Sequence, residues 1–139
     1  MLPDHCLRGF SKLAKVLIVD DDSQFRRAVR IALIARGHEV SEAANGREAL
    51  EKMATRTIEV VLLDWRMPVM DGEETCHAMS AASVVPIIVV AGSDVEKKAL
   101  SAGASAFLRK PVDAGALLAR IEICTGAAKP RSPLEGLEG

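Results

Sequence analysis

The sequence predicts one α/β domain built on an open parallel sheet, doubly wound with helices on both faces. Three observations carry that reading. Short apolar runs alternate with helix-patterned segments five times along the 139 residues. Two of those runs, Val60–Leu63 and Ile87–Val90, are apolar without alternation, as strands are when both faces are covered. Several runs stop abruptly at charged or small polar residues, as strands do when their carboxyl ends line a cleft.

The first run, Lys15-Val16-Leu17-Ile18-Val19, ends on Asp20-Asp21-Asp22. Asp22 or Ser23 can cap the helix that follows. That helix sets Phe25, Ala28, Val29, Ala32 and Leu33 on one face and Arg26, Arg27 and Arg30 elsewhere, and Gly37 stops it. His38 to Ala43 is short and polar, which suits an edge strand. Asn45-Gly46 turns the chain into a helix over Arg47 to Ala54, with Ala49, Leu50 and Met53 inward. Ile58 to Asp64 is the central strand, and Pro68 keeps it from continuing. Asp71-Gly72 opens a modest helix through Met79, with Thr75, Cys76 and Met79 inward. Ile87 to Val90 is a further buried strand, running out through Ala91-Gly92-Ser93. A helix is expected from about Asp94 to Ala102, ended by Gly103. Ala106 to Arg109 is the last strand, and it meets Lys110-Pro111, an X–Pro bond able to be cis and so to aim the lysine. Asp113 caps a final helix with Ala114, Leu117, Leu118 and Ile121 inward. Five βα units with short right-handed connections favour the flavodoxin-like strand order 2-1-3-4-5.

Composition bounds the rest. Apolar residues make up 49% of the chain, which argues against disorder, and a formal net charge of −1 leaves no footprint for direct nucleic-acid binding. No apolar run approaches a membrane span, and the first residues lack the layout of a signal peptide. Cys6, Cys76 and Cys124 are scattered and odd in number, so free thiols in a reducing, cytoplasmic compartment are expected. Residues 1–14 read as an N-terminal extension with a short helical turn near Phe10 to Leu13, residues 15–125 as the domain, and 126–139 as a flexible tail or linker stub. His5-Cys6 has no second ligand pair at metal spacing.

In the 2-1-3-4-5 order the first and third strands are neighbours. Their carboxyl ends then bring Asp20, Asp21 and Asp64 into one cleft. Three carboxylates repel, so the cleft calls for a cation, and an oxygen-only ligand set suits magnesium. Lys110 ends the fifth strand at the same edge, a compact positive charge matched to a phosphate oxygen. Cation on one side and ammonium on the other stabilise a transferring phosphoryl group, and Asp64 would be the nucleophile that accepts it.

Val19-Asp20-Asp21, the stretch Leu63-Asp64-Trp65-Arg66-Met67-Pro68-Val69-Met70-Asp71-Gly72, and Gly103-Ala104-Ser105-Ala106-Phe107-Leu108-Arg109-Lys110-Pro111 stand together in order. By these motifs the chain, from about Lys15 to Ile123, resembles the receiver domains of two-component response regulators, including single-domain chemotaxis-type regulators. The resemblance implies that Asp64 takes phosphate from a histidine kinase or phosphotransfer protein. It implies that Asp20, Asp21, Asp64 and the backbone carbonyl of Arg66 hold Mg2+, that Lys110 contacts the phosphoryl group, and that Phe107 holds the position of the switch aromatic. It also implies a switch of protein contacts rather than an enzyme with a separate substrate, with an output protein or a second copy of the chain meeting the 91–123 face. Two departures stand out. The family usually has Thr or Ser five residues after a proline like Pro86, and here that residue is Ala91. Ser93 substitutes only if the strand slips or the loop bends. The stretch from Ala91 to Phe107 is also about one helical turn shorter than the family's, so the fourth helix should be short or displaced.

Each residue has a plainer reading. Asp22 is a cap or bystander, and Asp71-Gly72 a helix start. Phe107 is equally a core aromatic. Trp65 is partly exposed over the site or structural in its loop. Arg66 tunes access to the cleft or is simply solvated. Arg26, Arg27 and Arg30 form a solvated face by default, with partner docking the sharper reading, and Cys76-His77 is helix packing. Two rival functions follow. A pseudo-receiver, or a phosphate sink with weak output, is favoured by Ala91. A magnesium-dependent phosphatase usually wants a second acid two residues after its aspartate nucleophile, where Arg66 stands.

Overall fold

The computed structural model describes residues 13–126. Five strands alternate with five helices: β1 (Lys15–Val19), α1 (Ser23–Ala35), β2 (Glu39–Ala43), α2 (Gly46–Thr55), β3 (Val60–Asp64), α3 (Gly72–Ala82), β4 (Ile87–Ala91), α4 (Glu96–Ser101), β5 (Ala106–Arg109) and α5 (Ala114–Thr125). The strands form one sheet in the order β2-β1-β3-β4-β5, and every pair is parallel. This is the flavodoxin-like order that the short connections predict.

Side chains alternate across a strand, so an unbroken apolar run serves two cores at once. Leu17, Val19, Val61, Leu63, Ile87 and Val89 meet Ala49 of α2, Cys76 and Met79 of α3 and Ala99 of α4. Val16, Ile18, Val60, Leu62, Ile88 and Val90 meet Val29 and Leu33 of α1 and Leu117, Leu118 and Ile121 of α5. The polar strand β2 sits at the edge, as its sequence requires.

Short polar side chains start four of the five helices. Asp22 accepts from the N–H groups of Gln24 and Phe25, Asn45 from Glu48, and Asp113 from Ala116. Asp71 and Glu74 cap α3 reciprocally, the side chain of each accepting the other's backbone N–H. At α4 the cap position is Val95, which has no side-chain acceptor, and the helix is only six residues, Glu96–Ser101: shorter than the 94–102 its pattern suggests, and short as the clipped stretch from Ala91 to Phe107 implies. Helix α3 instead runs past Met79 to Ala82. Its apolar stripe ends at Met79, but Ser80, Ala81 and Ala82 lose little on staying helical, and Ser80 Oγ donates to the Ala102 carbonyl at 3.2 Å. Gly103, at φ +111, is where that contact is made: a Cβ there would stand 1.9 Å from Ser80 Oγ.

Three smaller expectations shift. Ala28 and Ala114, placed inward by periodicity, are exposed beside the groove between α1 and α5. His38 precedes β2 and is buried; its Nδ1 accepts the Ala14 N–H at 3.0 Å and its Nε2 lies 3.3 Å from Glu122 Oε2. Ala14 is itself buried, and its carbonyl accepts from Glu39 N–H, so this residue just before Lys15 packs with the sheet. The His5-Cys6 pair, residues 10–12 of the expected N-terminal turn, Cys6 and the tail beyond Gly126 lie outside the described residues; Leu13 is exposed and not helical.

Candidate functional site

The site forms where β1, β3 and β5 end at one edge. Val19 pairs with Leu63, so Asp20 and Asp64 leave adjacent strands side by side. Oxygens of Asp20, Asp21 and Asp64 all lie within 4.8 Å of one another. Asp20 is 1% exposed and Asp64 8%, while Asp21 is open to solvent. Lys110 reaches in from beyond β5, its Nζ 3.2 Å from Asp20 Oδ2 and 3.3 Å from Asp64 Oδ1. The Lys110–Pro111 bond is cis.

The turn at Asp20 is held from several sides. Asp20 Oδ1 accepts the Asp22 N–H at 2.9 Å, and its backbone N–H donates to the Ala43 carbonyl across the sheet. Asp22 is spent on capping α1, as expected. The Asp20 carbonyl accepts from Arg26 Nη1 at 2.6 Å, and Arg26 Nε pairs with Glu42 at 2.9 Å. Arg26 is therefore no part of a solvated face: it braces the acidic turn from below. Arg30 lies 3.6 Å from the same Glu42.

The charges act on one another. Burial pushes the Asp64 carboxyl up to about 6; the Asp20 charge adds to this, the Lys110 ammonium opposes it, and Asp21 adds a little more. Partial burial works against the Lys110 ammonium, but Asp20 and Asp64 outweigh it and hold its pKa above the usual lysine value. Two carboxylates and one ammonium share a poorly solvated pocket with an excess of negative charge. A hard cation relieves that excess, and the all-oxygen donor set fits magnesium or a similar ion.

The remaining predicted residues divide. Ala91 ends β4, buried and paired with Arg109, and its carbonyl accepts the Lys110 N–H at 2.8 Å. The strand has not slipped, so no hydroxyl stands at that position. Phe107 is half-buried and packs against the same core layer as Ala91. Arg66 is exposed in the loop after Asp64. Trp65 is not partly exposed over the site. It is 8% exposed and packs into the core on the α2–α4 side. Its N–H donates to the Val90 carbonyl at 3.2 Å, and its own carbonyl takes the Gly72 N–H at 2.9 Å. Gly72 is obligatory there, because a Cβ would stand 2.5 Å from Trp65 Cα. Cys76 is buried and His77 exposed, so the two share no ligand geometry.

Besides the Arg26 brace, sequence reasoning missed a contact of the lysine. The Lys110 ammonium lies 4.7 Å from the centroid of the Phe25 ring, within cation–π range. Phe25 reads as an ordinary member of the α1 apolar stripe, and no spacing signal marks its approach to a lysine 85 positions away.

Fold and cleft together define the class: an open α/β domain with a triad of aspartates and one lysine at the switch point of its sheet. Residues 16–122 match the family described as the response regulator receiver domain, and the chain belongs to that family of two-component signalling domains. It is 34% identical over 127 residues to the response regulator MprA of Mycobacterium bovis, covering 88% of this chain and 55% of that protein. It is 44% identical over 110 residues to a protein-glutamate methylesterase/protein-glutamine glutaminase of Moorella thermoacetica, covering 74% of this chain and 26% of that one. Among solved structures, the chemotaxis protein CheY4 of Vibrio cholerae superposes with a TM-score of 0.76 at 34% identity, over 81% of this chain and 98% of that one. The chain spans about half the length of the MprA relative. Among the described residues no helix is long and apolar enough to cross a membrane.

Proposed function

We propose that this receiver domain is a working phosphoacceptor: Asp64 takes a phosphoryl group from the phosphohistidine of a kinase or phosphotransfer protein. The observation that carries this is the joint geometry of Asp20, Asp21, Asp64 and Lys110 at one sheet edge. An Asp64 carboxylate oxygen attacks phosphorus, and the P–N bond of the donor breaks. The imidazole leaves with the bonding pair, neutral because its other nitrogen carries a proton. Asp20, Asp21 and Asp64 would hold Mg2+, with the Arg66 carbonyl as a further ligand; when bound, the ion neutralises charge on the phosphoryl oxygens. Lys110 turns its ammonium from the carboxylates toward the transferred group. Hydrolysis of the acyl phosphate resets Asp64, so the domain acts on its own modification and not on a separate substrate.

The readout is a protein contact on the 91–123 face, with an output protein or a second copy of the chain. Leu100 and Ile123 lie exposed there. Ala91 at the strand end favours a second reading, a phosphate sink or pseudo-receiver with weak output. Magnesium-dependent binding of beryllium fluoride, a phosphoryl mimic, separates these when followed by amide chemical shifts. The expected result is binding that Asp64→Asn abolishes, with shifts spreading from Asp64 into 91–110. Shifts confined to the acidic cleft would assign a sink. Absence of binding would sink the phosphoacceptor reading in favour of the pseudo-receiver.

A further inference from the structure

A phosphoryl group on an aspartate presents three terminal oxygens. A cation on the acids and the Lys110 ammonium serve two of them, and the cleft needs a further donor for the third. The side chain at the end of β4 offers none, because residue 91 is alanine and the register fixes it there: Asp64 pairs with Val90, and Ala91 with Arg109.

Beyond Ala91 the chain turns at once. Gly92 is exposed, with open space where a Cβ would stand, and the Val95 N–H donates to the Ser93 carbonyl at 3.0 Å. This turn lies at the same edge of the sheet as Asp64 and Lys110. It carries Ser93 Oγ, the one side-chain polar atom among the described residues that is buried without a hydrogen-bond partner. A hydroxyl held away from water and unpaired is costly, and a bound group that completes it is one way a native fold accounts for such an atom. The neighbouring structural job stands open: α4 begins after Val95 with no side-chain cap, and the Ser93 hydroxyl does not supply one.

We propose that Ser93 is a phosphate-positioning residue, its hydroxyl donating to a phosphoryl oxygen on Asp64 from the β4–α4 turn rather than from the strand. The inference rests on the phosphoacceptor reading above. Ser93 makes and breaks no covalent bond; it gives one hydrogen bond, to an oxygen of the phosphorylated site. Because the donor sits on the turn, phosphorylation draws in the segment that leads to α4.

The test is beryllium fluoride affinity in magnesium for the full chain, for Ser93→Ala, and for Ser93→Ala combined with Ala91→Thr, with the thermal midpoint of each unliganded protein. Ser93→Ala should weaken binding about ten-fold, the worth of one hydrogen bond to a charged acceptor. Its unliganded midpoint should be unchanged or higher, since the hydroxyl has no partner to lose. A threonine at 91 should restore the affinity. Equal affinity in the parent chain and Ser93→Ala overturns this inference and leaves the phosphoacceptor reading standing. A lower midpoint with unchanged affinity makes Ser93 a structural residue and overturns it too. If the folded parent chain binds nothing, both readings fall together.

Discussion

Val69 is the residue most at odds with its own chemistry. It is β-branched, 74% exposed, and held at φ +72. The Met70 N–H reaches back across it to the Pro68 carbonyl at 2.8 Å. A side chain with a branched Cβ is strained in that left-handed region, by about 1–2 kcal/mol. Val69→Gly should therefore stabilise the protein by about 1 kcal/mol, a rise in thermal midpoint of about 4 °C. Val69→Ala is the control, because it keeps a Cβ and most of the strain. Equal midpoints for the two variants would mean that removal of exposed apolar bulk, not the backbone, accounts for any gain. Nothing in the sequence marks this position: Pro68 announces a turn, but the sign of φ one residue later is set by where α3 must start.

Elements were legible where local chemistry and packing agree. The unbroken apolar runs located β1, β3 and β4 because each feeds two cores, and the acids before α1, α3 and α5 located their starts because they satisfy free N–H groups. Helix ends were less legible. Helix α3 outlasts its apolar stripe because Ser80 finds a partner on another element, and α4 falls short because Val95 cannot cap it. The reciprocal cap on α3 gives a direct check. Asp71→Ala removes the acceptor for Glu74 N–H and should cost about 1 kcal/mol. A midpoint lowered by about 4 °C in a thermal melt is the expected outcome. No change would show that Glu74 and water replace the lost acceptor.

At the scale of the molecule, the acidic cleft is built at the expense of stability. The fold holds Asp64 near 6, above its ordinary 3.8, and so prefers it protonated. The stability this group contributes is present in full below about pH 4 and is lost as pH rises through 6. In chelator, Asp64→Asn should thus melt several degrees above the parent protein at pH 7.5, with the gap closing toward pH 4. A gap that stays constant with pH would contradict the raised carboxyl. Magnesium added at pH 7.5 should raise the parent's midpoint and leave that of Asp64→Asn nearly where it was. The strand order made the juxtaposition of Asp20, Asp21, Asp64 and Lys110 readable from spacing alone, since parallel strands deliver their carboxyl ends to one edge. The brace from Arg26 and the ring of Phe25 under Lys110 were not readable, because helix periodicity says which face a residue takes and not which side chain from a distant strand will meet it. The ion pair between Lys110 and Asp20 joins residues 90 positions apart. During synthesis the ribosome therefore delivers all three carboxylates long before the ammonium that balances them. Until the fifth strand emerges, a nascent chain has the acids without the lysine, so the charge-balanced cleft is completed only when nearly the whole domain has been made.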